Sequence, residues 1–133
     1  MNFLTGGEIM KRGIKTVLLV LSIILLISEL LLAIPFIGGS IVLSTGYNAL
    51  VLNGTLYFIS TIILLIDNQN TVKVIFIIPL IGLIASFVAI IPVIGWILHI
   101  VMVVLMIIFL FTIIIAPVYI PSKYYKTTYK NYK

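Results

Sequence analysis

Four apolar runs, at about residues 16–37, 47–66, 72–91 and 97–118, take up most of this chain and leave it few ways to fold. A helix needs about 20 apolar residues to cross the core of a bilayer. The runs are continuous rather than alternating, so helices are expected and a β-barrel is not. In lipid each backbone amide and carbonyl must find a partner inside the protein, and a helix supplies one within its own segment. Composition agrees with this reading, since 63% of the residues are hydrophobic and 8% are charged. A soluble domain has roughly 45–50% apolar and about 25% charged residues. The expected fold is all-α, a polytopic membrane protein with four transmembrane helices arranged as two hairpins and no soluble domain.

Ile-Pro-x-Ile-Gly occurs three times: Ile34-Pro35-Phe36-Ile37-Gly38, Ile78-Pro79-Leu80-Ile81-Gly82 and Ile91-Pro92-Val93-Ile94-Gly95. Proline lacks an amide donor and crowds the preceding turn, while glycine relaxes the backbone, so each copy should end or bend a helix. The first copy, extended by Gly39 and Ser40, closes the first run. The second lies inside the third run, so Pro79 and Gly82 are expected to bend a helix. In the third copy, Pro92 to Trp96 reads as a tight turn before the last run. The stretch 38–46 is an uncharged loop, unless the second helix starts near Ser40. A shift of 57 positions lays Pro35 on Pro92, Ile37 on Ile94 and Gly38 on Gly95, a weak internal repeat suggesting a duplicated hairpin.

Charge placement sets the expected orientation. The net charge is +5, with Glu8, Glu29 and Asp67 as the acidic residues. If both termini are cytoplasmic, Lys11, Arg12, Lys15, Lys73, Lys123, Lys126, Lys130 and Lys133 all fall on that side, as the positive-inside rule expects. Trp96 and Tyr47 then sit at the outer interface. The polar start, with a capping-box spacing at Thr5-Gly6-Gly7-Glu8, precedes a run too long for a signal peptide. A localisation in the cell membrane follows, multi-pass, with both termini inside. The bias to lysine and isoleucine over arginine and alanine points to an AT-rich, bacterial genome.

Glu29 is the residue to watch, because an ionisable group within a span is costly and functional by default. It lies six residues before Pro35, roughly 9 Å below the turn at about 1.5 Å per residue. Asn53, Ser86 and His99 come to similar depth. These four form a candidate intramembrane polar layer. Two readings stay open: the groups satisfy one another and lock helix packing, or Glu29 serves a proton-linked or ligand-binding role. Cysteine is absent, and a lone histidine beside one glutamate makes no credible metal site. No catalytic constellation, phosphate loop or HExxH motif occurs. Neither an enzyme nor a cofactor is expected.

In the tail, Lys123, Lys126, Lys130 and Lys133 would line one face of a helix, with Tyr125, Tyr129 and Tyr132 beside them. Such a strip suits anionic headgroups at the cytoplasmic face, at about 1 kcal/mol per lysine. A disordered tail that only sets topology would carry the same charges. Lipid, not nucleic acid, is the expected partner beside a span. Four short spans with Glu29 in the first resemble the small multidrug resistance transporters, and that resemblance implies a proton-coupled dimer. The family's aromatic and glycine pattern is missing, so no residue role is carried over. The leading expectation is a non-enzymatic accessory protein that associates with itself or another membrane protein, in envelope integrity, stress tolerance or immunity. The alternative is a small proton-linked transporter or pore subunit using Glu29 as an oligomer.

Overall fold

A computed structural model describes residues 12–67 and 73–117, and all regular structure among them is helical. The elements in order are α1 (Arg12–Leu32), the short α2 (Ile37–Ser44), α3 (Asn48–Ile66), a 3₁₀ turn (Lys73–Phe76) that leads into α4 (Ile77–Val88), and α5 (Pro92–Ile115). Three of these, α1, α3 and α5, are long and apolar enough to cross a membrane. The 3₁₀ turn with α4 is shorter, about 26 Å at roughly 2.0 and 1.5 Å of rise per residue. The capping box, Lys11, residues 68–72 and the basic tail with Lys123, Lys126, Lys130 and Lys133 lie outside the described residues.

Each long helix buries one narrow stripe. On α1 it is Leu18, Ser22, Leu25, Glu29 and Leu32; on α5 it is Gly95, His99, Met102, Met106, Phe109 and Ile113. Steps alternating between four and three residues average 3.5, the seam of near-parallel helices packed side by side. The opposite faces are isoleucine, valine, leucine and phenylalanine left exposed, as a lipid-facing surface requires.

The helices close into a ring in which α1 touches α3, α3 touches α4, α4 touches α5, and α5 returns to α1. The closest pairs are α1 with α5 and α3 with α4, so the chain's first and last long helices are clasped together. Both ends of the α1–α5 pair are tied. Lys15 Nζ donates to the carbonyls of Ile114 (2.9 Å) and Ala116 (2.6 Å), at the C-terminal end of α5. Free carbonyls there carry the negative end of the helix dipole, so a lysine satisfies both their hydrogen bonds and their charge. At the far end the Trp96 indole donates to Ala33 O at 2.8 Å.

The three proline motifs behave differently. At the first, α1 stops at Leu32, several residues earlier than expected, and 34–36 turn before α2. Residues 38–46, expected as an uncharged loop unless the second helix starts near Ser40, are mostly the two-turn α2, and the second long helix begins only at Asn48. Gly46 and Tyr47 then reverse the chain in left-handed conformations, with φ of 57° and 66°. At the third copy the expected turn Pro92–Trp96 is instead the first turn of α5, with Pro92 as its first residue. That position suits proline, since its missing amide would have no helical partner and its φ is already helical. The second copy starts a helix as well. Pro79 is the third residue of α4, just past the 3₁₀ turn, where an absent amide costs least. The first and third copies share one device. Gly38 N donates to Ile34 O (3.0 Å) and Gly95 N to Ile91 O (2.7 Å). A Cβ on Gly38 would collide with Leu32 O and one on Gly95 with Ala89 O, positions again related by the same shift.

Candidate functional site

Measured along α1 from Pro35, Glu29 lies deep enough that its carboxyl must find partners within the protein, and it finds three. Oε1 accepts from Asn53 Nδ2 (3.2 Å) and from the Tyr57 hydroxyl (2.7 Å), both on α3. Oε2 lies 2.6 Å from His99 Nδ1 on α5. A second tier steadies this arrangement: Ser28 Oγ donates to Asn53 Oδ1 at 2.6 Å, which fixes the amide so that its nitrogen faces Glu29. Glu29 is 1% exposed and Tyr57 fully buried. Three helices therefore meet at one carboxyl group. Each interhelical hydrogen bond in a membrane contributes about 0.6–2 kcal/mol, and each also fixes helix rotation and height.

The fourth helix contributes space. A Cβ on Gly82 would come within 2.5–2.6 Å of three carbons of the Tyr57 ring, so that glycine lets the ring lie flat on α4. The motif that reads as a helix bend thus supplies a seat for a tyrosine. Tyr57 itself is the functional residue that depth counting from the turns missed. Its signal was present, because Tyr57 stands four residues after Asn53 and so shares its helix face.

Of the four residues expected to form the layer, the structure brings Glu29, Asn53 and His99 together and leaves Ser86 out. Ser86 Oγ donates to Gly82 O (2.9 Å) within its own helix, and its Cβ packs against Gly54. A short hydroxyl on a helix can satisfy itself on the carbonyl three or four residues back, which removes any pull toward a partner. Buried hydroxyls farther from the turns do the same: Ser22 on Leu19 O, Ser60 on Leu56 O and Thr61 on Tyr57 O. Around them the interior is Leu18, Leu25, Leu64, Met106, Phe109 and Ile113. No chain of side-chain hydrogen bonds leads from Glu29 toward that end among the described residues.

Toward the turns the surroundings open. A cavity of about 480 Å³ lies between the first and third proline motifs, walled by residues of α2 and the start of α5, and His99 is one of its lining residues. Its walls are otherwise almost wholly apolar, with Tyr47 and Trp96 among them. Among the described residues no three His, Cys, Asp or Glu side chains come together as a metal site would need. Comparison of the chain with protein-family models, curated proteins and solved structures finds no match.

Proposed function

We propose that this chain is a non-enzymatic accessory protein of a cell membrane, a locked helical bundle that works by associating with itself or with another membrane component. The observation that carries this reading is the closure of the Glu29 network. Its Oε1 accepts two hydrogen bonds and its Oε2 one contact to His99, and the polar groups beyond it turn back on their own helices. A carrier needs groups that hand a proton or ligand along a route. A lock needs groups that spend their capacity on one another.

In this reading 72–91 is a fourth crossing, shortened and helped by the 3₁₀ turn, and both termini are cytoplasmic. The motif-bearing turns then face outward, and the lysine-rich tail lies on anionic lipid. The absence of cysteine makes the topology easy to test. Ser44→Cys should react with an impermeant maleimide in intact cells, and Thr128→Cys only after permeabilisation; the reverse pattern would invert the protein. A small proton-linked transporter or pore subunit is the second reading, favoured by the 2.6 Å Glu29–His99 contact at the edge of a cavity. Reconstitution in proteoliposomes separates the two. The accessory reading expects no proton flux above empty vesicles, together with a stable homo-oligomer or a co-purifying membrane protein in mild detergent. Flux that Glu29→Gln abolishes without changing oligomerisation would establish the transporter instead.

A further inference from the structure

His99 has work left over once it has met Glu29. Its Nδ1 meets the carboxyl, and among the described residues no hydrogen bond reaches Nε2. The residue is 7% exposed and lines the cavity. With Nδ1 engaged by Glu29, Nε2 is the ring nitrogen left to hydrogen-bond what fills that cavity.

The network decides what that partner must offer. Glu29 Oε1 is saturated with donors, so the shared proton of the pair lies between Oε2 and Nδ1. In apolar surroundings the favoured state of the pair is the one without net charge, with one proton between Oε2 and Nδ1 and a second on Nε2. Nε2 therefore donates into the cavity, and the occupant must present an acceptor oxygen.

Position and shape narrow the choice further. At about 480 Å³ the cavity is of the size of small-molecule sites. It opens among Phe36, Leu43 and Val93, all exposed to the surroundings of the bundle. Tyr47 and Trp96 flank it, residue types that stand at the level of lipid headgroups. His99 is three residues past Trp96, about 4.5 Å deeper along the helix. That is the boundary between headgroup and hydrocarbon, where the ester carbonyls of a glycerolipid lie.

We infer that this cavity holds one acyl chain of a glycerolipid, whose ester carbonyl accepts a hydrogen bond from His99 Nε2. The chain fills the apolar walls, and the carbonyl meets the histidine at the ring nitrogen that Glu29 does not use. The inference rests on the reading of the chain as membrane-spanning and is independent of whether the protein moves protons.

The test compares two lipids that differ only in the carbonyl. The full-length protein, purified in mild detergent, is incubated with diacyl phosphatidylglycerol or with its dialkyl ether of the same chains and headgroup, and bound lipid is read by native mass spectrometry. The diacyl lipid should be retained roughly tenfold better, the worth of one buried hydrogen bond. Gly39→Phe supplies the control. Gly39 lines the cavity and a side chain there meets open space, so phenylalanine should fill the site and abolish retention while unfolding is unchanged. Val93→Trp fills the same space from α5 should the glycine variant fail to fold. Equal retention of ester and ether lipids would overturn the inference, as would full retention by both filled variants. A co-purifying quinone in the site, or a dimer that Gly39→Phe dissociates, would assign it to another occupant. None of these results alters the proton-flux measurement, so the two readings fail separately.

Discussion

The two ends of this bundle solve the same packing problem by different means. Toward the turns, Glu29, Asn53, Tyr57 and His99 join three helices through directed contacts, and the packing is loose enough to leave a cavity. Toward the other end Leu64, Met106, Phe109 and Ile113 fill the interior, and Lys15 ties α1 to the last carbonyls of α5. Lipid is as apolar as leucine, so aliphatic packing gains little from leaving it and specifies rotation weakly. A carboxyl with three partners tolerates one geometry. One end supplies bulk, and the other fixes the register.

That contrast can be broken at its strongest point first. Glu29→Leu keeps the volume roughly constant but strands the Asn53 amide, the Tyr57 hydroxyl and His99. It should lower stability in bicelles by about 3–5 kcal/mol, the range for breaking a buried ionic network, read by detergent-induced unfolding. A loss under about 1 kcal/mol would mean that the partners find one another or water without it. Gly82→Ala comes next. Its Cβ would press into a ring held by α3 and Glu29, and overpacking of this kind costs typically 1–3 kcal/mol. The same loss should shrink if Tyr57 is first replaced by leucine. Tyr57→Phe removes one donor and leaves the ring, so about 0.6–1.7 kcal/mol is expected. At the apolar end Met106→Leu should have the smallest effect, below about 1.5 kcal/mol, as a volume-conserving exchange. If Met106→Leu proved as damaging as Glu29→Leu, the two ends would not differ as described.

Much of this was legible in the chain, and the rest was hidden for physical reasons. Helical runs long enough to cross a membrane follow from continuous apolar sequence, and depth could be counted from Pro35 and Pro92. That count put Glu29, Asn53 and His99 on one level. Depth says nothing of direction, however. Ser86 stands at the same level and bonds its own helix, whereas Tyr57, one turn below Asn53, reaches the carboxyl with a long side chain. Pro92 was ambiguous because proline suits both the turn before a helix and its first residue. The clasp of α1 on α5 was illegible, since the outer faces of all the helices are alike in valine, isoleucine and leucine. The role of Gly82 could be seen only once Tyr57 had been placed against it.

The central claim is that Glu29 and His99 act as one unit within a closed network. A double-mutant cycle on unfolding in bicelles, with Glu29→Leu, His99→Leu and the pair, tests it most directly. The expected result is a coupling of about 1–3 kcal/mol, with the double variant hardly less stable than the worse single one. Losses that simply add, within roughly 0.3–0.5 kcal/mol, would contradict the account.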